Sequence, residues 1–94
     1  MTDVVKSEDG WVLFVRGIHE EASEDRIYDA FAEFGRVKAL HLNLDRKTGY
    51  NKGYAMVQFE EFEEAQEALN ELNGKRILGK EICVDFAFKK PKSD

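Results

Sequence analysis

The chain has 94 residues, 43% of them hydrophobic and 35% charged, with a formal net charge of −5. That is enough apolar sequence for one small domain with its own core, and too much for a disordered chain. The single cysteine, Cys83, excludes an internal disulfide framework and fits a reducing compartment, no apolar run approaches the roughly 18 residues of a membrane span, and the N-terminus lacks a signal-peptide pattern.

Residues 1–9 are polar and read as a flexible arm. Residues 11–15, Trp-Val-Leu-Phe-Val, form an apolar, β-branched and aromatic run of strand length. Ser23 then stands as a helix N-cap, with Glu24 and Asp25 in the favourable first turn. Ile27, Ala30, Phe31 and Phe34 recur at helical spacing and make one apolar stripe. Gly35 is expected to end that helix. Residues 37–44 predict a second strand with Leu40 and Leu42 directed to the core, and residues 45–51 a polar loop. A third strand covers 52–59. Residues 62–72 predict a second helix whose stripe is Ala65, Ala68, Leu69 and Leu72. Asn73-Gly74 is a turn signal, residues 77–79 suggest a short extended piece, and a last strand is expected over 81–88. Lys89 and Lys90 open a basic tail over 89–94, so the domain proper spans 10–88.

The order β-α-β-β-α-β specifies an α+β, ferredoxin-like sandwich, a four-stranded antiparallel sheet with both helices on one face. The other face is left bare. Strand alternation assigns it Val12, Phe14, Ala39, His41, Asn43, Tyr54, Met56, Gln58, Cys83, Asp85 and Ala87, with Arg16 at its edge. Apolar surface of this kind marks an interface. Its one carboxylate, Asp85, and the acidic whole count against a ligand held by its phosphates.

Other motifs carry less. Residues 74–80 approximate a phosphate-binding loop, but Glu81 stands where Ser or Thr should hold magnesium and no helix follows. His19, His41 and Cys83 lie on separate elements, without the spacing of a metal site or a catalytic constellation. No cofactor and no enzymatic activity are expected.

Lys52-Gly53-Tyr54-Ala55-Met56-Val57-Gln58-Phe59 and Leu13-Phe14-Val15-Arg16-Gly17-Ile18 resemble the two signatures of the RNA-recognition motif. The resemblance covers roughly residues 10 to 88. In RNA-binding members, the aromatics equivalent to Phe14 and Tyr54 stack on bases. Met56 replaces an aromatic found in such members. Further stretches, among them residues 10–15, 18–22, 41–50 and 84–86, are similar to the exon junction complex branch of the family.

That resemblance implies a heterodimer with Mago, formed through Val12, Phe14, Leu44, Tyr54, Met56 and Asp85. It also implies the DEAD-box helicase subunit of the complex and its associated factors as partners, contact with spliced mRNA through the complex, and a nuclear protein that shuttles to the cytoplasm. Translation, mRNA localisation and nonsense-mediated decay are the processes it implies. The alternative is a single-stranded RNA binder that stacks bases on Phe14 and Tyr54, with Lys52, Lys89 and Lys90 on phosphates.

Overall fold

A computed structural model describes residues 6–7 and 10–87 of the chain. The elements are β1 (Lys6–Ser7), β2 (Gly10–Arg16), α1 (Glu24–Ala32), β3 (Val37–Leu44), β4 (Asn51–Phe59), α2 (Phe62–Leu72), β5 (Arg76–Ile77), β6 (Lys80–Glu81) and β7 (Cys83–Phe86). Four strands build the antiparallel sheet in the order β3-β4-β2-β7, and the short β1 pairs with the start of β2 beyond the reach of β7. The strands joined by each helix, β2 with β3 and β4 with β7, are parallel and separated by one strand. Two interleaved crossovers of the same hand put both helices on one face. The expected ferredoxin-like architecture is the observed one.

The helix side holds the core. Leu13, Val15, Ala55, Val57, Phe59 and Val84 descend from the sheet, and Ile27, Phe31, Ala65, Ala68 and Leu72 meet them from the helices. Ten of these eleven are completely buried, Phe31 and Phe59 packing with ring centroids 6.4 Å apart, while Leu72 retains 6% exposure. Ala30, Phe34, Leu40, Leu42 and Leu69 complete the layer as partly buried neighbours. At about 25 cal/mol per Å² of buried apolar surface, this layer is the main source of stability.

Local chemistry sets the element ends. Ser23 has extended backbone, and its Oγ accepts the Arg26 N–H at 3.2 Å, as an N-cap should. At the start of α2 the Glu64 carboxylate reaches back to accept the Glu61 N–H at 3.4 Å, one half of a capping box. Asn73 closes α2, its N–H bonded to the Leu69 carbonyl, and its Oδ1 accepts the Val84 N–H at 2.9 Å. That side chain therefore ties the helix end to β7.

Three expectations change. The first helix stops at Ala32, three residues before Gly35, and Gly35 is not in the left-handed region that a terminating glycine uses. A Cβ on Gly35 would lie 2.5 Å from the side chain of Glu64, so this glycine makes room for α2. The final strand is shorter than 81–88. Lys80–Glu81 folds back on Arg76–Ile77 as a hairpin, and fully buried Ile82 separates it from β7. The stretch 74–80 is this hairpin and its approach, not a phosphate loop. Lys6–Ser7, within the polar arm, forms a strand against Gly10–Trp11.

Candidate binding face

The sheet turns one row of side chains after another away from the helices. In the central row Asp85 lies opposite Phe14, Phe14 opposite Met56, and Met56 opposite His41. In the next row Cys83 lies opposite Arg16 and Arg16 opposite Tyr54. On the other side, Val12 faces Gln58 and Gln58 faces Ala39. All these residues are exposed or half-buried, while their chain neighbours Leu13, Val15, Ala55, Val57 and Val84 have no exposure. The bare face predicted from alternation exists, and it assembles Val12, Phe14, Tyr54, Met56 and Asp85.

Phe14 and Tyr54 are diagonal neighbours with ring centroids 5.9 Å apart and planes tilted by 35°. Met56 keeps 45% of its surface open to solvent. Together they make an apolar strip across β2 and β4. The strip is bounded by polar groups: His41 Nε2 lies 3.1 Å from Asn43 Oδ1, and Arg16 Nη2 lies 3.8 Å from Asp85 Oδ2. Arg16 is thus a member of the face rather than a residue at its margin. Reading two residues on from Phe14 in the same strand is the signal that finds it. The ion pair is more than half exposed on both sides, so it contributes little to stability. It does partly offset the carboxylate on the face.

Leu44 does not join this group. Between the pairs Leu42–Ala55 and Leu44–Asn51, Asn43 of β3 faces three residues of β4, so the register slips. Gly53, with φ +95°, lies within that bulge. Leu44 shares a side with Asn51, whose carboxamide points among the helix-side loops and is buried. It borders a cleft with Leu42, Ala22, Glu20, Glu21 and Tyr50, and is 55% exposed there.

Lys52 is exposed beside a second small cleft with Ile18, His19, Glu20 and Lys80, at the end of the sheet. Lys89 and Lys90 lie outside the described residues, as do the rest of the 89–94 tail and most of the 1–9 arm.

Asn51 is the residue that sequence reasoning missed, because a polar residue at a loop end looks like loop. Its Nδ2 donates to the His19 and Ala22 carbonyls at 2.8 and 3.0 Å, and its Oδ1 accepts the Gly53 N–H at 2.7 Å. It pins the loop after β2 to the start of β4 and so fixes one end of the face.

A family model described as the RNA recognition motif matches residues 13–83. RNA-binding protein Y14 of Arabidopsis thaliana is 48% identical over 83 residues, which cover 88% of this chain and 41% of that protein. An uncharacterized RNA-binding protein of Schizosaccharomyces pombe is 50% identical over 86 residues, covering 92% of this chain and 70% of that protein. Among solved structures, the Rna15 RRM with bound RNA (GU) matches with a TM-score of 0.78 and 27% identity over 87% of both chains. The Sxl-lethal protein/RNA complex matches with a TM-score of 0.80 and 28% identity, over 89% of this chain and 50% of that one. This chain thus spans less than half the length of the plant relative. With a family model covering well over half of it, the chain belongs to the RNA recognition motif family, a non-enzymatic family, and within it is Y14-like.

Proposed function

We propose that this chain is the RNA-recognition-motif subunit of an exon junction complex, and that its open face binds Mago rather than RNA. The observation that carries the reading is the strip of Phe14, Tyr54 and Met56. A flexible thioether stands where a third stacking ring would serve RNA, and it suits insertion into an apolar groove. The carboxylate of Asp85 beside the strip and the net charge of −5 favour a protein over a polyphosphate. The 48% identity to a Y14 protein supports the assignment. On this reading residues 10–88 are the binding module, and the heterodimer works with the complex's DEAD-box helicase on spliced mRNA in the nucleus. It travels with the message to the cytoplasm and influences mRNA localisation, translation and nonsense-mediated decay.

The test is co-purification of Mago with the wild-type chain and with Met56→Arg. The arginine is too long and too polar for the apolar strip, and an exposed position leaves the fold itself intact. Loss of Mago with an unchanged circular dichroism spectrum is expected. Undiminished co-purification would sink the proposal.

A second reading, single-stranded RNA binding, is favoured by the Phe14–Tyr54 ring pair and by Arg16 beside it. It predicts RNA affinity that falls steeply with salt and collapses in Phe14→Ala and Tyr54→Ala. Salt-independent binding, or none, would exclude it.

A further inference from the structure

Beside Phe14 the open face dips into a shallow pocket of about 470 Å³, lined by Phe14, Met56, Asp85, Phe86 and Ala87. Its walls are apolar apart from one carboxylate. Asp85 sits opposite Phe14 in the sheet, and its side chain is 63% exposed. The ion pair it makes, with Arg16, spans 3.8 Å. A charge-assisted N–H···O bond closes to ~2.7–2.9 Å, so Arg16 holds the carboxylate loosely and leaves its hydrogen-bonding capacity for another group.

We infer that this pocket receives a lysine or arginine side chain of a protein partner. The methylenes of such a side chain would lie along Phe14, Met56 and Ala87 while its cationic head meets Asp85, the division of labour long basic side chains adopt at interfaces. The Phe14 ring adds attraction for a cation placed over its face. A nucleic-acid backbone would instead set phosphate against Asp85. The overall charge of −5 draws the same kind of partner. Arg16 occupies the carboxylate in the free chain, and the partner's cation replaces it. This rests on the face being a protein interface and adds what the partner must present to it.

Two measurements test it. In the first, purified Mago is titrated calorimetrically with the full chain at low and high salt, as wild type, Asp85→Asn, Asp85→Glu and Arg16→Ala. Asp85→Asn should bind about tenfold or more weakly and lose much of the salt dependence. Asp85→Glu should keep most of the affinity, and Arg16→Ala should match or exceed wild type because the internal competitor is gone. Wild-type affinity in Asp85→Asn overturns the inference, whereas the reading of the face falls separately, if Met56→Arg binds Mago normally.

The second measurement needs no partner. Methyl NMR of Met56 and Ala87 is followed as the chain is titrated with the blocked tripeptide Gly-Arg-Gly, with its norleucine analogue and with oligouridylate. Saturable shifts from the arginine peptide alone, absent in Asp85→Asn, are expected. Equal shifts from the neutral peptide, no shifts, or RNA moving these methyls at lower concentration than the arginine peptide would each overturn it.

Discussion

Gly35 and Glu64 are 29 positions apart in sequence, yet the backbone of one and the side chain of the other fill the same space. A methyl group on Gly35 would come within 2.5–2.6 Å of Glu64 Cβ, Cγ and Cδ. Because the conflict includes Cβ, rotating the carboxylate away does not relieve it. Gly35→Ala is therefore expected to destabilise the domain by about 1–3 kcal/mol, the usual cost of overpacking. Adding Gly35→Ala to Glu64→Ala should still destabilise, since alanine retains the offending Cβ. Urea denaturation of the three variants measures this, and equal midpoints for Glu64→Ala and the double variant would refute it.

Asn51 offers a second prediction, on hydrogen bonding rather than packing. Its side chain satisfies three backbone groups and is only 6% exposed. Asn51→Ala leaves the His19 and Ala22 carbonyls and the Gly53 N–H without these partners. At ~1–3 kcal/mol for a fully stranded buried group, and with water reaching part of the site, a loss of about 2–4 kcal/mol is expected. Amide exchange should rise first at Gly53 and at Ile18, whose N–H bonds the Gly53 carbonyl at 3.0 Å. A protection pattern unchanged at both amides would show that the contact does not hold this loop.

The β5–β6 hairpin turns on two residues with positive φ, Leu78 at +54° and Gly79 at +82°. That backbone pattern suits Asn-Gly, while a leucine in it is strained. Leu78 is also 44% exposed, so its side chain gains little by burial. Leu78→Asn should raise stability by roughly 0.5–1 kcal/mol, visible as a higher thermal midpoint. A lower midpoint would mean that Leu78 makes packing contacts worth more than the strain.

These cases mark where sequence reasoning succeeds and stops. Alternation alone identifies Phe14, Met56 and Asp85 as neighbours on one face, because antiparallel strands translate parity into side. The helical stripe through Ile27 and Phe31 is equally direct. Leu44 obeys the same rule: two residues on from Leu42, it lies on the helix side beside Asn51, and only the family resemblance puts it on the open face. Gly35 sits where a helix-ending glycine belongs, but its cause is a contact with a distant helix that no local pattern encodes. The reach of Arg16 to Asp85 depends on the offset between β2 and β7, which only the pairing reveals.

The last prediction concerns the residue that separates the two readings of the face. Met56 lies opposite Phe14 on one strand and His41 on the other, at the centre of the sheet. Met56→Phe would restore a third ring beside Phe14 and Tyr54 without altering charge or core. Stacking of a base on an aromatic is worth ~1–3 kcal/mol, so single-stranded RNA should bind roughly 5- to 150-fold more tightly to the variant. On the Mago-binding reading the flat, stiff ring fits an apolar groove less well than a flexible thioether, so Mago affinity should fall at the same time. Fluorescence anisotropy with a short oligoribonucleotide, alongside calorimetry with Mago, follows both quantities. Opposite movement of the two is the expected result. If RNA affinity stays at its wild-type level, position 56 does not govern base stacking on this face.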